Sequence, residues 1–309
     1  MALFDMASGP AWDVPEPHSV HDVQHEDGSV TRLRRHGDPR GVRLLVGHGN
    51  GLASDFYYPF WSRFTVDFDV FVYDLRNHGW NAVGPKSGHN IPNLIRDQED
   101  VVEFLADRFG PGCSVGVFHS LSALTALLSR TLGTGRTGDL SAWIFFDPPL
   151  VKPKRWEEEF DKSIYRPAEI ARRRTDRFRD TGQFAEVAHH FLLSRAVPGA
   201  AELMARTVLR SSPDGNSVEL RCPREYEAQI WAYARSFAYL VDLSNLPCPT
   251  KVVASDPTMT PTYRPALNPR HNHPVDYDFI PDSTHLLQLE HPKRCERLIR
   301  RFLRNHGFA

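Results

Sequence analysis

Ser120 stands where an apolar strand gives way to an apolar helix. Val115, Val117 and Phe118 fill a short stretch suited to a buried strand, and Leu121, Leu124, Leu127 and Leu128 return at helical spacing. A serine at that turn has its oxygen at the top of a strand, beside the unpaired N–H groups that open a helix, where negative charge is favoured. A serine hydroxyl is a poor nucleophile at neutral pH. It needs a base within hydrogen-bond reach, and the base needs a carboxylate to fix its tautomer and stabilise its cation. His285 is the candidate base, because it follows the last expected strand and precedes the closing helix. Asp147, which ends a continuous apolar strand, and Asp256, in a polar, proline-rich loop after another strand, are the carboxylates to weigh. The same serine could instead cap the helix, a common use of the residue, and the segment alone leaves both uses open.

The elements that must position these groups alternate along the chain. Residues 1–17 are rich in Pro and Gly and read as an arm. Ser19–His25 and Ser29–His36 alternate around Asp27-Gly28, a hairpin signal. Arg43–Val46 is a buried strand that runs into Gly47-His48-Gly49-Asn50-Gly51, and a helix carrying Phe56, Phe60 and Phe64 follows. The spacing predicts a strand over Asp69–Asp74 and an amphipathic helix from Pro92 to Phe109. The inward stripe of that helix is Leu94, Gln98, Val101, Val102, Leu105 and Phe109. Ser141–Phe146 is the next strand. This alternation predicts an α/β fold with a mostly parallel sheet covered on both faces. From about Leu150 to Leu243 no strand is expected, only helical stretches broken at Pro167, Gly182, Pro198-Gly199 and Ser212–Gly215. Thr250–Ala254 and Val275–Ile280 return to the sheet, and a closing helix faces Cys295, Leu298, Ile299, Phe302 and Leu303 inward.

Phe118-His119-Ser120-Leu121-Ser122, in that setting, resembles the nucleophile elbow of the α/β-hydrolase family, usually Gly-x-Ser-x-Gly. Ser122 is small enough for the pattern; Phe118 stands where a glycine is usual and is expected to crowd the elbow and narrow the acyl pocket. His48-Gly49-Asn50 resembles the family's oxyanion loop, which implies that the backbone amides of Asn50 and Leu121 hold the oxyanion. As a dinucleotide fingerprint the same loop fails, because Leu52 occupies the third glycine's place. Asp74-Leu75-Arg76-Asn77-His78-Gly79 is similar to the loop after strand four and is expected to set a sharp turn and pin its neighbours. His285 through Glu290 to Pro292 resembles the family's ending at its catalytic histidine. The family's acid commonly follows strand seven, here Asp256, and in some branches strand six, here Asp147. The cap stretch Val218–Ala228 is similar to a little-characterised branch whose strand six ends in Asp/Glu-Pro, which favours Asp147.

The resemblance implies an α/β-hydrolase fold. Residues 1–150 and 243–309 would form the core and 151–242 an inserted helical cap. It also implies a serine hydrolase that cleaves a carboxylic ester, thioester, lactone or amide of a small molecule. Two other uses of the scaffold stay open. One is a carbon–carbon hydrolase, lyase or cofactor-free oxygenase with His285 and its aspartate as base; the other is a ligand-binding protein without catalysis.

With 37 basic and 38 acidic side chains, composition argues for neither nucleic-acid nor membrane attraction. The four scattered cysteines lack a Cys-x-x-Cys pair, no apolar run is long enough to cross a bilayer, and the N-terminus lacks signal-peptide blocks. A cytoplasmic enzyme without metal or cofactor is expected. His18, His21 and His25 do not share one strand face and lack a completing ligand. Arg172, Arg173, Arg174, Arg177 and Arg179 read as a solvated helix face more readily than as a grip for an acidic substrate. His189, His190, His271 and His273 read as ordinary.

Overall fold

A computed structural model of the chain describes residues 12–150, 166–259 and 275–308. The apolar stretches pair into an eight-stranded sheet: β1 (Ser19–Gln24), β2 (Val30–Gly37), β3 (Val42–Gly47), β4 (Phe68–Tyr73), β5 (Ser114–His119), β6 (Ala142–Phe146), and two later strands. In spatial order β1, β2, β4, β3, β5 and β6 precede those two, Thr250–Ala254 and then Val275–Phe279. Among the described residues of this sheet the pairings made by β2 are antiparallel, and from β4 outward the neighbours are parallel. Strands β4, β5 and β6 are buried along their whole length, as parallel strands covered on both faces must be.

The covering layers follow from amphipathic helices. On one face lie α1 (Ile91–Phe109) and α2 (Leu121–Leu132), which pack with Leu45, Phe71, Phe118 and Phe145. Asn90 caps α1 by accepting the Asn93 N–H at 2.9 Å, and Gly110 ends it at φ +74°. Its buried face carries more polar groups than the expected stripe. Gln98 accepts the Thr125 hydroxyl, and Glu99 accepts those of Ser129 and the Gly135 N–H, so each finds a partner on the neighbouring segment. The other face is covered by the closing helix, Pro292–Asn305, with Cys295, Ile299, Phe302 and Leu303 buried and Leu298 at the margin, and by residues 54–64.

Residues 54–64 depart from expectation. Instead of one helix there are two 3₁₀ turns, Ser54–Tyr57 and Ser62–Phe64, around a single α turn, Tyr58–Trp61. Trp61 Nε1–H donates to the Ser54 carbonyl at 3.0 Å, the acceptor a continuous helix would give to the Tyr58 amide. Phe56, Phe60 and Phe64 are buried all the same.

The segment between β6 and the seventh core strand also departs. It holds α3 (Thr181–Phe191), α4 (Ala200–Val208) and α5 (Arg224–Ala238), but also three short antiparallel strands, β7 (Arg177–Phe178), β8 (Leu209–Ser211) and β9 (Val218–Leu220). Two- and three-residue strands leave almost no periodic signal in a sequence. Leu203 and Met204 of α4 join the core on one side of the main sheet and Ile230 and Ala234 of α5 the core on the other. The first residues expected to belong to this insertion, 151–165, lie outside the described residues, as do the arm through residue 11, His271 and His273.

Among the described residues no helix is long and apolar enough to cross a membrane. The strands Thr250–Ala254 and Val275–Phe279 are β10 and β11 below.

Candidate active site

Register brings Ser120 and Asp147 together, and a loop adds His285. His119 is level with Phe146 across β5 and β6, so Ser120 and Asp147 are the first residues past two adjacent strands. The Ser120 N–H donates to the Phe146 carbonyl at 3.0 Å, and the Asp147 N–H to that of Val253 at 2.9 Å. β10 carries Ala254 beside Phe279 of β11, and the loop after β11 delivers His285 to the same end of the sheet. Parallel strands thus present these groups at their carboxyl ends, where an open α/β sheet has its crevice.

His285 joins the two. Its Nδ1–H donates to Asp147 Oδ2 at 2.6 Å, and Ser120 Oγ lies 3.0 Å from Nε2. Because an ionised carboxylate only accepts, Nδ1 carries the ring proton and Nε2 is left to accept the serine hydroxyl. Ser120 and Asp147 both hold positive φ, +50° and +40°. Such backbone is costly for residues with a Cβ and persists only where the surroundings impose it. Asp147 is fully buried, and its second oxygen accepts the Ser255 N–H at 3.1 Å and the Ser255 hydroxyl at 3.0 Å. The rival acid is engaged by other donors. Asp256 accepts the Thr258 N–H and hydroxyl and the Asp282 N–H, bracing the loop that carries His285. These donors, the Asp282 amide first, hold its carboxyl below the usual carboxylate range. Glu290 fixes the same loop by accepting the Thr284 N–H and hydroxyl.

Phe118 does not narrow the site. Its ring lies back along the strand into the core, stacked near Phe145, over a position where a Cβ on Gly116 would be 2.4 Å from Phe118 Cε2. Residues two apart on a strand share a face, so the glycine at 116 makes room for the aromatic at 118. Gly116→Ala is expected to cost about 1–3 kcal/mol of stability by overpacking, read as a lower urea midpoint. Combined with Phe118→Leu it should cost less than the sum of the two single changes. Ser122, on the helix side, closes the turn on itself: its Oγ accepts the His119 N–H and donates to the His119 carbonyl, both at 3.0 Å.

The glycine-rich loop lies beside the elbow because Gly47 pairs with Phe118. Its conformation is set by neutral histidines. His48 Nε2 accepts the Leu75 N–H at 2.9 Å, so Nδ1 carries the proton and donates to the Gly49 carbonyl at 2.7 Å. In a planar trans peptide the Asn50 N–H then points opposite to that carbonyl, away from His48. His78 Nε2 accepts the Gly51 N–H at 3.0 Å. Burial holds both rings below the usual histidine range. Asp74 supports the same loop by accepting the Ser54 N–H, the Trp80 N–H and Arg34, whose buried guanidinium also meets Asp55. Gly79, at φ +49°, passes so close to the Asp74 carboxylate that a Cβ would lie 2.2 Å from its carbon. The 74–79 loop therefore turns sharply and pins its neighbours. Helix α5 reaches the glycine-rich loop too: Asn50 Nδ2 donates to the Glu227 carbonyl at 2.9 Å, and the Glu227 carboxyl covers Gly51.

The arginine run is largely engaged inside the insertion. Arg174 pairs with buried Glu227, Arg177 with Asp214 and Glu219, and Arg179 with Asp180. His25 meets Asp100 and Thr31, and His21 meets Ser19; among the described residues no group of three or more His, Cys, Asp or Glu side chains could hold a metal ion.

The family model described as Alpha/beta hydrolase family matches residues 44–298. Among solved structures, E-2-(acetamidomethylene)succinate hydrolase superposes with a TM-score of 0.67 at 17% identity, over 92% of this chain and 98% of that one. A thermophilic esterase from Thermogutta terrifontis gives 0.60 at 21%, over 93% and 98%. A bottromycin epimerase gives 0.60 at 16%, over 91% and 98%. At these identities the likeness is one of fold, and the last shows the fold carrying a chemistry other than hydrolysis.

Proposed function

Since the chain belongs to the alpha/beta hydrolase family, we propose that it is a serine hydrolase working through an acyl-enzyme on Ser120. The substrate would be a small molecule bearing a carboxylic ester, thioester, lactone or amide. Ser120 Oγ attacks the carbonyl carbon while His285 Nε2 takes its proton. Asp147 holds the Nδ1–H tautomer and stabilises the imidazolium that forms. The amides of Asn50 and Leu121 receive the oxyanion, a role in which one donor is typically worth ~10²–10³ in rate. His285 then passes the proton to the leaving group, and water reverses the sequence to free the acid. The insertion, residues 151–242 in this reading, closes over the crevice as a cap and selects the substrate. The four thiols, free in the structure, suit a reducing compartment such as the cytoplasm.

The observation that supports this reading is the single imidazole 3.0 Å from Ser120 and 2.6 Å from Asp147. Its test is a fluorophosphonate. The intact mass should rise by one phosphonyl group, peptide mapping should place it on Ser120, Ser120→Ala should take up none and His285→Ala should react slowly. A folded protein that stays unmodified overturns the reading.

A further inference from the structure

One buried imidazole has no part in the sequence above. His119, the residue before Ser120, is fully buried, and its ring lies 4.6 Å from that of His285. Its Nε2 is 2.9 Å from the His285 backbone carbonyl. A carbonyl can only accept, so Nε2 carries a proton. Burial, and the neighbouring His285 after it, hold the ring well below the usual histidine range, so it carries only that one. Nδ1 is therefore an acceptor, and the Tyr57 hydroxyl 2.7 Å away must donate to it. The Tyr57 oxygen in turn lies 3.3 Å from the Gly49 amide, which donates to it. Every proton in this row has one direction: Gly49 N–H to Tyr57, Tyr57 O–H to His119, His119 N–H to the carbonyl of His285.

The row spans the three separate segments that carry the oxyanion loop, the elbow and the base. Gly49 precedes Asn50, and its Cα comes so close that a Cβ there would lie 3.0 Å from His119 Nδ1 and 3.3 Å from Ser120 Cβ. A leucine or phenylalanine would fill the space under His285 without the cost of desolvating two ring nitrogens. That cost is met only when both are bonded.

We propose that His119 is a positioning residue. With Tyr57 it sets the distance between the oxyanion loop and the backbone of His285, so that base and oxyanion donors face one carbonyl group together. The inference rests on the reading of Ser120 as nucleophile. A mutual displacement of about 1 Å at such a site can cost about 10²-fold in rate, and loss of one neutral hydrogen bond about tenfold or less.

The experiment compares His119→Leu, His119→Gln and Tyr57→Phe as full chains reacting with the same fluorophosphonate, separating the maximal inactivation rate from the concentration for half-saturation. His119→Leu is expected to slow the maximal rate by about tenfold to 10²-fold with half-saturation unchanged. Tyr57→Phe, which removes one oxygen and leaves the packing, should slow it by about threefold to tenfold. His119→Gln offers an amide N–H to His285 and a carbonyl oxygen to Tyr57, and should stay within about threefold of the parent. Three results overturn the inference: Tyr57→Phe at the parent rate, His119→Leu at the parent rate, or His119→Gln as slow as His119→Leu while folded. Should His119→Leu fail to fold, Tyr57→Phe and His119→Gln carry the test alone. A parent protein that does not label at all removes the reading of Ser120 itself, and this inference with it.

Discussion

Asp147→Asn is expected to lower turnover of any ester the protein hydrolyses by about 10⁴-fold, with folding intact and KM little changed. The size follows from the partners of each carboxyl oxygen. Oδ1 accepts two donors from Ser255, so the carbonyl oxygen of an asparagine must stay on that side. The amide NH₂ is then turned toward His285, where Oδ2 now accepts the Nδ1 proton. Two donors cannot face each other, so the imidazole shifts its proton to Nε2, and an Nε2–H cannot accept the proton of Ser120. The base is lost without a change of shape. Asp256→Asn keeps an acceptor for Thr258 and loses only the bond to the Asp282 amide, and should leave turnover within about tenfold. A steady-state comparison of the two variants on p-nitrophenyl acetate checks this. Equal losses, or the larger one at Asp256, would return the acid to the other strand.

That contrast also marks how far the site was legible. Ser120 and Asp147 stand out in the sequence because each directly follows an apolar run, and Asp256 and His285 because they lie in loops that follow later strands; strand ends are where a parallel sheet presents its chemistry. The resemblance already favours Asp147, and register gives that preference a physical reason. Asp147 continues β6 directly beside the end of β5, whereas Asp256 lies two residues past β10, and Ser255 takes the place that faces Asp147. Nothing local to Ser255 announces a carboxylate 108 positions away. Phe118 stands where the elbow usually has a glycine, and only the shared face of the strand shows that Gly116 makes room for its ring. Nothing local marks His119 either, since its partners Tyr57 and the His285 carbonyl come from distant segments.

The fold divides along the same line. β3, β5 and β6 are short, mostly apolar runs and the closing helix keeps a clean stripe, so their patterning suffices; α1 keeps its period although Asp97, Gln98 and Glu99 join its buried face. The three short strands between β6 and β10 are too short to have a period, and the aromatic stretch from Phe56 to Phe64 keeps its buried face while its backbone breaks and Trp61 bonds the Ser54 carbonyl. Arg34 sits in a strand whose alternation suggests an ordinary half-exposed face, yet it is buried between Asp55 and Asp74 and stacked 4.7 Å from Trp80. Such a residue is explained by its ion partners, which no single-strand pattern contains.

The second large effect is acid lability centred on histidines. His36, His48, His78, His89 and His119 are all buried and all held below the histidine value of 6.5, burial being the largest cause in each; His36 and His89 are lowered to about 4. Below pH 6.5 the unfolded chain takes up protons that the folded rings refuse, so stability is full above that value and falls as pH drops toward the folded pKa. For His36 and His89 the loss accumulates between pH 6.5 and about 4, at roughly 1.4 kcal/mol per pH unit for each ring. That comes to roughly 3 kcal/mol apiece, large against a typical total of about 5–15 kcal/mol. Burial pushes Asp55, Asp97 and Glu227 up, which works in the opposite sense, but Arg34, Arg76 and Arg174 beside them limit the rise. The histidines therefore set the sign. Urea midpoints should fall steadily from about pH 7 to about pH 5. His89→Gln should flatten that slope: the imidazole accepts the Asn77 amide at 3.0 Å, which a glutamine oxygen can also do without taking up a proton. A midpoint that holds or rises over the same interval would mean that these rings are charged or solvated in the folded protein, the histidines beside the glycine-rich loop included.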